Sequence, residues 1–283
     1  MSQPERCSDA SAEAGEPLAG TAVHVENWLL VELRGTWPRD VSDVVGAGGP
    51  GTEALRSWLG ATPASRLLFV RRPGARPGGV RAFVVRAAAD EAEVRRFELE
   101  GLADLDALDL ERGGEVVDGP LVLVCGHGAR DACCALRGNA VYAALAPHAG
   151  EEELWISTHQ AGHRFAANVL LLPSGIQLGR LDPRSAPEAV DAARLGKIPL
   201  DHLRGLTFHP PHVQAADAAV REHTRLAGVR DLVLVADDGT IVALETRDGR
   251  AFRVAVDEVA GAVVPPSCGA APEAQRAFSA RLL

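Results

Sequence analysis

Two cysteines and two histidines in this chain stand at spacings that suit one metal centre. Cys125 closes the apolar run Leu121–Val124 and opens the segment CGHGARDACC, which ends at Cys134. His159 follows a second apolar run, LWIST, and His163 closes the segment HQAGH. Two thiolates and two imidazoles, each pair on a loop after a strand, are a donor set for zinc. The same set serves an iron–sulfur cluster in which imidazole replaces two of the thiolates. Nucleophilic catalysis needs a Cys and a His, not a spaced pair of each. Gly162 beside His163 favours a turn over a helical HxxxH, which weakens a zinc-finger arrangement. The order strand–Cys–loop–Cys, then strand–His–loop–His, brings two loops to one end of a sheet, a cradle suited to a rhomb-shaped two-iron cluster.

The remaining cysteines are Cys7, Cys133 and Cys268. Cys133 and Cys134 compete for the same role, since neighbours on a helix face about 100° apart. Cys7 falls in a polar N-terminal tail and reads as incidental. Cys268, in VVPPSCGAA, reads as a free structural thiol. Five cysteines with one adjacent pair make a poor disulfide framework, so a reducing, cytoplasmic setting is expected. A thiol-redox enzyme cycling Cys133–Cys134 or Cys125 is an alternative, against which the missing C-x-x-C counts.

The elements that must position these groups follow from the pattern of apolar runs. Residues 1–20 read as loose, with room for one short helix. NWLLVELRG reads as a strand, DVSDVV and TEALRSWLG as helix, and RLLFVRRP, VRAFVVRAA and EVRRFELEG as strands, with LADLDALDL as a closing helix. The turn-rich ERGGEVVDGP is the expected boundary. LVLVC then reads as a strand and DACCALRGNAVYAALAPHA as a helix with Asp131 at its N-cap. ELWIST is a strand, ANVLLLPSG and IQLGRLD a hairpin about Pro173-Ser174-Gly175, and APEAVDAARLG a helix. The order β-α-β-β-α thus occurs twice and suggests an internal duplication. Beyond it PHVQAADAAVREHTRLAG is an amphipathic helix, and RDLVLVADD, TIVALET and AFRVAVDEV are strands turned at Asp238-Gly239 and Asp248-Gly249. This last part reads as a small β appendage without chemistry of its own. The Arg-rich turn at 71–76 reads as a solvated loop.

The net charge of -9 argues against a nucleic-acid partner. No stretch approaches the roughly 20 apolar residues of a membrane span, and the N-terminus has no apolar signal segment. No pair of carboxylates is spaced for glycoside chemistry.

The segments CGHGARDACCALRG and STHQAGHRFAANVLLLPSGIQLGRLDP resemble the sucrase/ferredoxin-like family. Its pattern, C-x-H-x-x-R-D-x-x-C, falls on Cys125, His127, Arg130, Asp131 and Cys134. A second pattern falls on His159, Gly162, His163, Arg164, Ala166 and Asn168. Ala161 stands where the family usually has Gly, and Thr158 where it has Ser. The resemblance is strong over about residues 120–216 and diffuse elsewhere.

The resemblance implies a domain similar to thioredoxin-like [2Fe–2S] ferredoxins, with Cys125, Cys134, His159 and His163 as ligands and Cys134 preferred over Cys133. His127, Arg130, Cys133, Arg164 and Asn168 are then expected around the ligands, with His127 donating toward a sulfur or an acidic neighbour. The expected architecture is α/β. It comprises two thioredoxin-like units, a degenerate one at 21–115 and the cluster-bearing one at 118–205, followed by a helix and β-strand appendage at 206–283. The expected role is outer-sphere one-electron transfer with an unidentified redox protein, coupled to proton loss from the ligand imidazoles, rather than an enzyme with its own substrate. Zn²⁺ on the same residues is the alternative.

Overall fold

A computed structural model describes residues 6–74, 78–150 and 152–283. The chain forms a mixed α/β structure. Its order is α1 (Cys7–Glu13), β1 (Asn27–Glu32), α2 (Val41–Gly46), α3 (Thr52–Ala61), β2 (Ser65–Arg71), β3 (Val80–Arg86), β4 (Glu93–Leu99) and β5 (Glu115–Val116). Then come β6 (Leu121–Cys125), α4 (Ala132–Leu145), β7 (Leu154–Ser157), β8 (Val169–Leu172), β9 (Ile176–Leu178), α5 (Ala186–Arg194) and β10 (Leu203–Leu206). The C-terminal part holds α6 (Pro211–Thr224), β11 (Leu232–Asp237), β12 (Ile241–Thr246), β13 (Ala251–Val264) and β14 (Glu273–Leu282).

The strands make a ten-stranded sheet in the order β10-β9-β8-β6-β7-β2-β1-β3-β4-β5 and a four-stranded sheet in the order β11-β12-β13-β14. In the large sheet β1 pairs β2 in parallel and β3 antiparallel; β6 pairs β7 in parallel and β8 antiparallel. The two halves therefore repeat one strand order, and they join where β2 meets β7 antiparallel through Val70–Ser157 and Arg71–Ile156. Strand periodicity explains why the halves fuse. Alternate residues of a strand face opposite sides, and Trp28, Leu30, Leu68, Phe83, Leu123, Trp155 and Leu170 build one core shared by both halves. The intervening residues face their own helices. Leu29, Val31, Leu67 and Phe69 pack with Leu55 and Trp58 of α3. Val122, Val124, Val169 and Leu171 pack with Val141 and Leu145 of α4 and Val190 of α5.

Three expectations need correction. The N-terminal segment is not loose from residue 6 on: α1 is docked, with Cys7, Ser8, Ala10 and Ser11 buried. Arg137 binds Ser8 and Asp9, Arg180 binds the Ser11 and Glu16 carbonyls, and Arg164 pairs with Glu16. Residues 1–5 lie outside the described residues, as do Ala75 and Arg76 of the Arg-rich turn. LADLDALDL yields a 3₁₀ turn over Leu102–Ala107 rather than an α-helix. Asp104 there accepts from the Glu100 and Gly101 amides, local bonds of a tight turn, and Asp106 is drawn to the distant Gly51 amide at the start of α3. The C-terminal part is no inert appendage, because the tip between β13 and β14 reaches His163 and Asp131 on the loops of the large sheet.

Among the described residues no helix is long and apolar enough to cross a membrane.

Candidate metal centre

Parallel pairing of β6 with β7 sets Cys125 opposite Ser157, so both strands end at the same edge and release their loops side by side. Helix α4 begins at Asp131, whose carboxylate accepts the Cys133 amide at 2.8 Å in the expected N-cap. The first turn of α4 thereby points Cys134 back toward the strand ends. Close approach requires Gly138, one turn further along: a Cβ there would overlap the Cys125 carbonyl oxygen and lie 3.0 Å from its carbon.

The structure brings Cys125, Cys134 and His159 together, with their donor atoms within 4.8 Å of one another. Cys134 Sγ is 3.9 Å from Nδ1 of His159. His163 stands outside that trio but next to it, its ring 5.0 Å from that of His159. Nε2 of His163 donates to the Pro266 carbonyl at the β13–β14 tip. That bond fixes the tautomer and leaves Nδ1 as a lone pair, which is buried without a hydrogen-bond partner among the described residues. His163 thus presents an open Nδ1, and His159 turns its Nδ1 toward the Cys134 sulfur.

Charge and burial favour a donor role. The Cys134 thiol, together with His159, holds Cys125 well below the usual thiol range, while the same hydrogen bond and burial push Cys134 up. Burial pushes His163 and His127 down, toward the neutral imidazole.

Surrounding residues order the histidine loop. His127 is buried; its Nε2 donates to the Pro38 carbonyl at 2.7 Å and its Nδ1 accepts the His159 amide at 3.2 Å. It therefore orients the backbone of His159 and does not donate to a sulfur or a carboxylate, because its one proton goes to Pro38. Trp37 packs edge-on against it. Asn168 donates to the Gly162 carbonyl at 2.9 Å, Arg164 pairs with Glu16, and Arg130 pairs with Asp40. Sequence reasoning left three supports out. Arg204 on β10 is 1 % exposed and donates to Asn168 Oδ1, the Ala161 carbonyl and Thr21. Arg66 on β2 donates to the His159 carbonyl at 2.8 Å, and Gln160 to the Leu123 carbonyl at 2.8 Å. Arg204 lies within the stretch of family likeness but outside the two ligand motifs; Arg66 has no local signal, since it comes from the other half of the sheet. Ala161, at φ 69°, and Gly162, at φ 67°, both occupy the left-handed region. The alanine at 161 thus sits where glycine is conformationally cheaper.

Cys133 faces away from this group. It joins Cys7, Cys268 and Asp131, a second set whose donor atoms also lie within 4.8 Å of one another. Cys7 and Cys268 are accordingly neither incidental nor isolated, because tertiary packing brings both to the start of α4.

A protein-family model for sucrase/ferredoxin-like proteins matches residues 18–205. The chain belongs to the sucrase/ferredoxin-like family. A curated relative, altered inheritance of mitochondria protein 32 of Eremothecium gossypii, is 32 % identical over 106 residues. That match covers 32 % of this chain and 34 % of the relative, so the chain spans about a third of the length of the relative it matches. No solved structure matches the chain significantly.

Proposed function

We propose that this member of the sucrase/ferredoxin-like family is a one-electron carrier holding a [2Fe–2S] cluster on Cys125, Cys134, His159 and His163. The observation that carries the reading is the meeting of two thiols and a histidine Nδ1 at one sheet edge, with a second, unpartnered Nδ1 beside them. Soft sulfur with imidazole nitrogen is a donor set that iron–sulfur centres use. Such a centre supplies one-electron redox chemistry, and two neutral imidazoles in place of thiolates raise its potential above the roughly -400 mV of plant-type all-cysteine clusters.

The protein's own groups have defined tasks in this reading. Cys125 and Cys134 supply the anionic donors. The Pro266 carbonyl keeps the His163 proton on Nε2, and His127 with Arg66 holds the backbone of His159 from both sides. Each β-α-β-β unit is read as thioredoxin-like, the first having kept the scaffold without ligands. A cleft of about 570 Å³ that borders His159 is lined by Arg39, Arg56, Arg66 and Arg130 with one carboxylate, Asp40, among them. It offers a cationic approach for an acidic face of a redox partner.

A single zinc ion is the second reading, favoured by the compactness of the trio of donors. The visible spectrum of anaerobically purified protein, with iron and acid-labile sulfide counted, separates the two. Broad visible bands with two irons and two sulfides per chain support the cluster. A colourless protein that resists reconstitution and carries zinc on these residues refutes it.

A further inference from the structure

Cys7, Cys133, Cys268 and Asp131 come from three separate regions: the N-terminal helix, the first turn of α4 and the tip of the β13–β14 hairpin. Cys7 Sγ is 3.7 Å from Cys133 Sγ and 3.6 Å from Cys268 Sγ, and the Cys133 and Cys268 sulfurs are 3.2 Å apart. Asp131 Oδ1 is 3.8 Å from the Cys7 sulfur and 3.3 Å from the Cys268 sulfur. Tetrahedral zinc with Zn–S bonds of about 2.3 Å and a Zn–O bond of about 2.1 Å separates its sulfurs by about 3.8 Å and a sulfur from the oxygen by about 3.6 Å. Four of the five distances are shorter than those values by about 0.1–0.6 Å and the Asp131–Cys7 distance is about 0.2 Å longer, so sub-ångström shifts of the donors would close them about one small ion. They are all too long for a disulfide bond of about 2.05 Å, and any pairing of three cysteines strands one of them.

The surroundings suit anionic sulfur. Ser8 Oγ donates to Cys133 Sγ at 3.2 Å, and Cys133 sits in the first turn of the 14-residue helix α4, where the helix dipole favours negative charge. Asp131 is oriented before any ion arrives, since the Cys133 amide holds Oδ1 and the Cys268 amide holds Oδ2 at 2.9 Å. Cys7 and Cys133 are fully buried and Cys268 is partly exposed, which leaves an entry path on the hairpin side.

We infer that Cys7, Cys133, Cys268 and Asp131 form a second metal site, a structural zinc site that clasps the N-terminal helix and the C-terminal hairpin to the start of α4. Three thiols and a carboxylate, four donors in a closed shell, suit Zn²⁺ rather than a hard oxygen-seeking cation. Binding exchanges the three thiol protons for one Zn²⁺ and involves no electron transfer. The site does not depend on the cluster reading, because it shares no donor with Cys125, Cys134, His159 or His163.

The test uses the full chain, expressed with zinc and iron in the medium, and counts both metals in wild type, Cys7→Ser, Cys268→Ser and His159→Ala. One zinc per chain in wild type and in His159→Ala, with zinc lost from Cys7→Ser and Cys268→Ser, is the expected result. Competition with a chromophoric chelator should show Cys268→Ser binding zinc at least about 100-fold more weakly. Because Cys268 sits on a partly exposed tip, its variant is the one expected to fold, as circular dichroism will report. Cobalt(II) added to metal-free wild type should give the intense visible bands of a tetrahedral thiolate site, weakened in Cys268→Ser. Zinc absent from wild type, or zinc that persists in Cys268→Ser and vanishes in His159→Ala, overturns the inference. Failure of the cluster reading looks different: no iron, with zinc still following Cys268.

Discussion

Replacing Gly138 by alanine should do the opposite of what helix propensity dictates. In a helix interior alanine is favoured over glycine by about 0.8–1 kcal/mol. Gly60, exposed near the end of α3, has nothing within 4 Å of an added Cβ, so Gly60→Ala should stabilise the chain by up to about 1 kcal/mol. Gly138 is buried, and the same methyl would overlap the Cys125 carbonyl and come within 3.5 Å of the Gly126 Cα. Ordinary carbon–carbon contact lies at about 3.5–4.0 Å, and the atoms in the way are backbone of a strand end, which cannot swing aside. Overpacking of this kind costs about 1–3 kcal/mol, enough to reverse the propensity gain. The displacement is also directional. Cys134 and Gly138 are one helical turn apart on the same face, so pushing Gly138 off the strand end moves Cys134 away from Cys125. Urea denaturation of Gly138→Ala and Gly60→Ala should give midpoints on opposite sides of wild type, and metal content should fall only in Gly138→Ala. If Gly138→Ala gains stability as Gly60→Ala does, the account of how α4 seats the second cysteine is wrong.

Three further outcomes are expected. Ala161→Gly removes the cost of about 1–2 kcal/mol for an L-residue in the left-handed region and returns about 0.4–1 kcal/mol as unfolded-chain entropy. A net gain of about 0.5–1 kcal/mol should appear as a higher denaturation midpoint, and a loss would show that glycine is not preferred there. Arg204→Gln strips donors from Asn168 Oδ1 and the Ala161 carbonyl; buried acceptors left unpaired cost about 1–3 kcal/mol each. A destabilisation of about 2–4 kcal/mol is expected, and an unmoved midpoint would remove Arg204 from its supporting role. His163→Cys exchanges a neutral donor for an anionic one, so a retained cluster should show a lower reduction potential by spectroelectrochemical titration. An unchanged potential would mean that His163 is not a ligand.

Local chemistry was legible in the sequence wherever it was encoded by neighbours. Asp131 before an apolar helix announced the α4 cap, and Pro173-Ser174-Gly175 announced the β8–β9 hairpin. The Gly239 and Gly249 turns, both at positive φ, fell where Asp-Gly pairs placed them. Cys125, Cys134 and His159, which the structure brings together, each sit at or just beyond the end of a recognisable strand or in the first turn of a recognisable helix. What remained hidden was set by tertiary packing. Cys7 and Cys268 are 261 residues apart, and no spacing rule connects them. Arg66 reaches His159 only because β2 pairs with β7, and that junction of two residue pairs has no signature in an apolar run. The choice of Cys134 over Cys133 came from the motif; the reason for it, that the neighbouring side chain belongs to a different set of partners, is visible only in three dimensions.

The position of the β13–β14 tip in the chain has a consequence for biosynthesis. All four residues proposed as cluster ligands have been made once His163 is added, but Pro266, which fixes the His163 tautomer, and Cys268, which completes the second set, come about a hundred residues later. At about 5–20 residues per second this leaves an interval on the order of 5–20 s. During it the histidine loop exists without its final cover. Translation therefore completes the donors of the first set before the hairpin that covers them and supplies Cys268 to the second has been made.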